Sequence, residues 1–351
     1  MNPFLAIIAI VRGTYRAQLD SSQLLDLLRP ALLTNAIFGI SVGIGLTMLV
    51  SGNISRPVKE IIRVLKRVRD GDFDKRAKVT SNDEIGYTGD VINEMTDGLK
   101  ERDKMRQSLE LAKEVQQNLL PKANPKVAGL DIAGQSIYCE RTGGDYYDYL
   151  DLGDQHQGKI GIVVGDVSGH GISAALLMAS ARSSLRQRAL ISGSIAQIVS
   201  DVNRQLTRDV EESGRFMTLF CSEIDTQSQR IRWVRAGHEP AIFYDPATKI
   251  FEELKGPGMA LGVDETWQYE EKQKLGLTKG QIIVFGTDGI WEAHNAKGDI
   301  FGKEALFEII RQYAESSSKQ IVAAIIDALN RFRQDAIPED DVTLVVVKVV
   351  T

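Results

Sequence analysis

Apolar and polar positions follow three different rhythms along the chain. From Ala31 to Val50 (ALLTNAIFGISVGIGLTMLV) there is no rhythm, only an uncharged apolar run. Its length matches what a helix needs to cross a bilayer, so it predicts a transmembrane helix over 31–50. Gly39, Gly43 and Gly45 sit at near-helical spacing within it. Basic residues crowd the downstream flank (Arg56, Lys59, Arg63, Lys66, Arg67, Arg69) against Arg12, Arg16 and Arg29 upstream. The positive-inside rule therefore places the C-terminal bulk in the cytoplasm. The earlier run Phe4–Val11 is too short to span and lacks a signal-peptide pattern, which leaves residues 1–30 a segment without an assigned role.

Beyond the span the period becomes helical. Val58, Ile61, Ile62, Leu65 and Val68 form one amphipathic stripe, opened by Pro57 and ended by Gly71. Ile85, Val91, Ile92, Met95 and Leu99 form a second. Two short helices cannot bury such stripes alone, so this unit calls for a partner chain. Met105, Leu109, Ala112, Val115 or Gln116, and Leu119 then recur at roughly heptad spacing, predicting a short coiled coil over 105–121 stopped by Pro121. From 122 to 351 the pattern changes again. Buried apolar runs such as Ile160–Val164, QIIVFG and VTLVVVKVV read as strands.

Composition narrows the chemistry. A net charge of −5 over 351 residues gives no reason to expect nucleic acid. Two unpatterned cysteines and four histidines leave neither a disulfide framework nor a zinc cluster. Any bound metal has to be held mainly by oxygen.

Carboxylates supply that oxygen. Asp166 ends the buried run GKIGIVVGDVSGHG, Asp145 follows two glycines and opens a strand, and Asp288 ends QIIVFGTDG. Asp340 and Asp341 precede the last strand. An aspartate at one strand end is commonly a turn; four strand ends carrying one predict a converging cluster that repels itself unless cations hold it. All-oxygen ligation selects Mg²⁺ or Mn²⁺. The cluster is large enough for two ions about 4 Å apart that share one bridging Asp, the arrangement that hydrolyses phosphoesters. No Ser-His-Asp order, catalytic cysteine setting or P-loop competes.

Two resemblances extend this reading. Arg56-Pro57, the turn Gly71–Phe73 and Asp83–Gly86 resemble a HAMP linker over 51–104, which implies a parallel four-helix bundle across a homodimer. AKEVQQNLLP, GGDYYD, GDVSGHGISAALLM, RAGHEPAI, GMALGV, TDGIWEA and EDDVTLVVV resemble, in order, the SpoIIE-like branch of the PPM-type serine/threonine phosphatases. That resemblance implies an α+β fold, a sandwich of two stacked antiparallel sheets flanked by helices, over 122–351. Asp166 would bridge two Mn²⁺ or Mg²⁺ ions, with Asp145 and the Val167 carbonyl completing one site. Asp288 and Asp340 would complete the other, Asp341 being the second choice of that pair. The nucleophile would be a metal-bound water rather than a side chain.

His170 stands beside the bridging Asp as a general-acid candidate, His238 as a turn residue, and Arg141 as a possible phosphate contact. The implied protein is a single-pass phosphoprotein phosphatase at the inner face of a bacterial membrane. Its implied substrate is a phosphorylated STAS-domain anti-sigma antagonist. Register changes in the lead-in helix would order the loop that carries Asp145. A catalytically silent pseudophosphatase is the alternative, although all the carboxylates are in place. GGDYYD also resembles the GGDEF signature of diguanylate cyclases, but lacks its Glu and Phe and leaves the other aspartates unexplained.

Overall fold

A computed structural model describes Ile8 and residues 21–78, 81–139, 142–152, 158–334, 336 and 338–351. Glu140, Arg141 and most of the first twenty residues, singled out above, lie outside the described residues. The chain divides into two units, residues 1–106 and 107–351.

In the first unit, helix α1 (Ser21–Val50) passes through a wider π-helical turn, Ser51–Ser55, into α2 (Arg56–Arg69). It is the one run among the described residues long and apolar enough to cross a membrane, and its large apolar side chains from Leu32 to Val50 are exposed. Helix α3 (Glu84–Leu119) starts where Asp83 accepts the Ile85 backbone N–H at 3.0 Å, an N-cap that satisfies an otherwise unpaired donor. The amphipathic stripes divide. Ile61, Val64 and Val68 of α2 pack with Ala77 and Ile92, whereas Val58, Ile62, Leu65, Val91 and Met95 remain exposed. One face thus closes the helix pair, and the other is left open, the division a bundle shared with a second chain requires.

The second unit holds two five-stranded antiparallel sheets. Strands β1 (Leu130–Ile137), β10 (Val342–Val349), β9 (Ile282–Gly286), β6 (Ala241–Asp245) and β7 (Ile250–Leu254) form one, in that order. The other is β2 (Tyr146–Leu150), β3 (Lys159–Val167), β4 (Met217–Asp225), β5 (Arg230–Ala236) and β8 (Lys272–Leu275).

Strand alternation builds the layers. Ile160, Ile162 and Val164 of β3 meet Phe285, Val345 and Val347 of the facing sheet, while Val163 and Val167 face helices α4 (Ile172–Ala189) and α5 (Ile195–Val210). Helices α6 (Gly302–Gln312) and α7 (Ser318–Arg333) cover the other sheet's outer face. Capping boxes at Ser194 and Ser317 start α5 and α7.

Candidate metal centre

Period-two alternation also aims the carboxylates. In β3, Asp166 continues the row Ile160, Ile162, Val164 and so falls on the inter-sheet side, where the strand leaves the sandwich. Asp145 shares the side of Tyr147, and Asp341 that of Val345 and Val347. Three strands therefore deliver aspartates to the mouth between the sheets. Asp288, past the end of β9, and the exposed Asp340, ahead of β10, join from loops. Asp166, Asp340 and Asp341 line one pocket of about 310 Å³ together with His170, Gly143 and Gly144.

Glycines make this convergence possible. A Cβ on Gly143 would stand 1.7 Å from Asp341 Oδ2, and one on Gly144 would stand 2.6 Å from the Val167 carbonyl oxygen and 2.9 Å from Asp166 Oδ1. A side chain at Gly143 would collide with Asp341, and one at Gly144 would push the loop before Asp145 off the end of β3.

Hydrogen bonds hold the carboxylates without neutralising them. Thr287 Oγ1 donates to Asp145 Oδ2 at 2.8 Å and accepts the Thr343 N–H at 3.0 Å. The Cys139 N–H donates to Asp341 Oδ1 at 2.8 Å, and the Asp341 N–H to Asp340 Oδ1 at 2.8 Å. Among the described residues, no ion pair reaches any of the five aspartates. Burial, then repulsion from Asp166 and Asp341, raises the Asp145 carboxyl well above its ordinary range. Burial, then Asp288, Asp340 and Asp341, pushes Asp166 up to about 7. Burial also raises Asp288 and Asp341. A site that holds protons this tightly through uncompensated negative charge is one a divalent cation stabilises.

Among the described residues no three side chains form a closed ligand set. The donors nonetheless fit a hard dication: all are oxygen, Asp145 and Asp341 are buried and Asp166 and Asp288 partly so, and no ion pair among the described residues neutralises them. Asp145, Asp166, Asp288, Asp340 and the Val167 carbonyl would hold it, and Asp341 lies on the same inter-sheet row as Asp145 and Asp166.

His238 stands outside this set. Its Nδ1 lies 2.8 Å from Thr218 Oγ1 on β4, and its Nε2 lies 3.2 Å from the Gly286 carbonyl on β9. Burial lowers its pKa to about 4, so the ring is neutral near pH 7. The expected turn residue proves to be a tie between the two sheets.

Sequence reasoning missed Thr287 and the function of Gln116. The Gln116 amide brackets the loop before Asp145: Nε2 donates to the Gly143 carbonyl at 2.6 Å, and Oε1 accepts the Gly143 N–H at 3.2 Å. Where the heptad left Val115 or Gln116 open, Gln116 is the buried one, and Val115 and Leu111 are exposed. The signal was there, as a polar interruption of an apolar stripe.

Comparison with known proteins agrees with this architecture. Residues 156–350 match the family model for stage II sporulation protein E (SpoIIE), and residues 49–101 match the HAMP domain. Asp145 lies ahead of the first span. The phosphoserine phosphatase RsbU of Bacillus subtilis is 29% identical over 244 residues, covering 70% of each chain. Protein IcfG of Synechocystis is 27% identical over 338 residues, covering 83% of this chain but 51% of its own length. Among solved structures, the SiaA PP2C domain of Pseudomonas aeruginosa superposes with a TM-score of 0.61 at 21% identity, covering 70% of this chain and 98% of that one. The phosphatase domain of Bacillus subtilis SpoIIE superposes with a TM-score of 0.53 at 18% identity, covering 64% of each. Both share the fold of two antiparallel sheets with flanking helices. With more than half of its length matched by that family model, the chain belongs to the SpoIIE family of PPM-type serine/threonine phosphatases and carries a HAMP domain ahead of its catalytic domain.

Proposed function

We propose that this serine phosphatase is tethered to a membrane and depends on two divalent ions, Mn²⁺ or Mg²⁺, to dephosphorylate a phosphoserine or phosphothreonine protein in a bacterial signalling pathway. The observation that carries the reading is the buried carboxylate mouth: aspartates from both sheets, raised by burial and mutual repulsion and unpaired among the described residues. When bound, divalent cations supply the Lewis acidity and the activated water that phosphomonoester hydrolysis needs. The chain's own contribution is placement. Asp145, Asp166, Asp288 and Asp340, with the Val167 carbonyl, fix where the positive charge sits, and Gly143 and Gly144 keep the approach open. His170 lines the same pocket, where the seryl oxygen must regain a proton as the ester breaks.

The exposed apolar helix α1 supports anchoring through one membrane span, with the catalytic unit on the cytoplasmic side. The open stripe Val58, Ile62, Leu65, Val91 and Met95 supports a homodimer through the HAMP helices. The relatives named phosphoserine phosphatase support a phosphoserine substrate, and the motif resemblance extends this to a small phosphorylated STAS-domain antagonist. Gln116 gives the lead-in helix a direct hold on the loop before Asp145, which supports control of activity through helix register.

Release of inorganic phosphate from a serine-phosphorylated STAS-domain protein, by the full chain in lipid nanodiscs with Mn²⁺, tests the reading. Phosphate release that stops with EDTA is expected. Metal-independent release would overturn the mechanism. Hydrolysis of p-nitrophenyl phosphate with none from the STAS protein would overturn the substrate assignment alone.

A further inference from the structure

The Asp166–Gly171 turn has little reason of its own to keep one shape. Gly169 and Gly171 both sit at positive φ, +84° and +80°, and glycine carries the largest backbone entropy to lose. Its shape is imposed by Arg215 and Phe216, the two residues that lead into β4. All three polar groups of Ser168 are engaged there. Its N–H donates to the Phe216 carbonyl at 2.9 Å, its Oγ accepts the Phe216 N–H at 3.0 Å, and its carbonyl accepts Arg215 Nη1 at 2.8 Å. The guanidinium lies against Gly169 so closely that a Cβ there would stand 2.7 Å from Nη1.

One of these bonds has a direct chemical consequence. The Val167 carbonyl and the Ser168 N–H belong to the same planar trans peptide, so they point in opposite directions. Fixing the N–H on Phe216 turns the Val167 carbonyl the other way, toward Gly144, where a Cβ would lie 2.6 Å from its oxygen. Arg215 then fixes the next peptide plane, and the turn cannot rotate about Ser168.

We propose that Arg215 and Ser168 are positioning residues that clamp this turn on β4 and so aim the Val167 carbonyl into the carboxylate mouth as a backbone ligand for the divalent cation. The proposal rests on the metal-dependent reading above. It gives Ser168 a conformational role. It also explains why an arginine with a long apolar stem stands half-buried beside a glycine loop: its planar donor edge meets a carbonyl that would otherwise be free to turn.

Calorimetric titration of Mn²⁺ into the full chain in detergent, beside thermal unfolding without metal, tests the clamp. Ser168→Ala and Arg215→Ala are each expected to weaken Mn²⁺ binding about tenfold, the scale typical of groups that orient a metal ligand. Arg215→Lys, which keeps one donor, is expected to recover most of that loss. The double variant should lose less than the product of the single losses, because both bonds hold one turn. Variants that bind Mn²⁺ like the wild type while unfolding at lower temperature would overturn the clamp and leave a merely structural contact. Should Arg215→Ala fail to fold, Ser168→Ala and Arg215→Lys still decide it. A wild-type chain that binds no Mn²⁺ would instead sink the metal reading itself.

Discussion

Asp145 and Asp148 stand three residues apart in GGDYYD, 2% and 0% exposed, and their charges are settled in opposite ways. Alternation sends Asp148 to the helix side of its sheet. There Arg186 of α4 grips it with two bonds of 2.6 Å, Tyr146 Oη donates at 3.0 Å and the Tyr149 N–H at 2.8 Å. Asp145 goes to the inter-sheet side, where its neighbours are Thr287 and two further aspartates. A buried carboxylate that the protein neutralises is architecture; one left among like charges awaits a cation from outside. The same motif supplies one of each.

Substitutions at the two carboxylates and their partners should have opposite effects. Asp166→Asn should abolish turnover and Mn²⁺ binding together while the fold persists, since removing one of several repelling carboxylates relieves the metal-free protein. Circular dichroism beside calorimetry would check this, and near-wild-type binding would make the cluster structural. Arg186→Met should do the reverse. It leaves Asp148 only the longer contact to Arg182, at 3.7 Å, beside its Tyr146 and Tyr149 donors, and destabilises the domain by about 2 kcal/mol, the scale of lost hydrogen bonds to a charged group. Its Mn²⁺ affinity should hold, and denaturant unfolding with titration would reveal the split.

His238 offers a probe of the tie between the sheets. Its folded pKa of about 4 lies below the ordinary 6.5, so the unfolded chain takes up the proton first as the pH falls. Its contribution is intact above pH 6.5 and is lost on descending to 4, by about 2–3 kcal/mol. His238→Gln should flatten that part of the pH–stability curve, and an unchanged slope would count against the assignment. The smallest expected effect belongs to Gln116→Ala, about 1 kcal/mol for the lost pair of bonds to Gly143. It should also weaken Mn²⁺ binding by a few fold; an unchanged titration would remove Gln116 from the coupling between helix and loop.

Much of this was legible in the sequence because strand and carboxylate come together. Runs such as GIVVGD and IIVFGTD announce buried strands whose ends carry an aspartate, and nothing else in the composition could account for them. The choice between Asp145 and Asp148 was less accessible from residue types alone, since it depends on the face each occupies and on arginines 34 and 38 positions further along. His238 was expected to fix a turn because its sequence neighbours form one. Its partners, Thr218 and Gly286, come from strands of different sheets. The HAMP stripes were read as single faces, and only packing divides them into a closed half and an open half.

On the proposed reading the inter-sheet aspartates hold divalent cations, and catalysis needs them. Mn²⁺ titrated calorimetrically into the EDTA-dialysed full chain at pH 8, above the range where Asp166 keeps its proton, tests it most directly, with p-nitrophenyl phosphate hydrolysis followed in the same samples. Two ions bound per chain, hydrolysis that appears only as they bind, and neither signal in Asp166→Asn are the expected result. Hydrolysis before any Mn²⁺ is added, or full hydrolysis with no heat of binding, would contradict it.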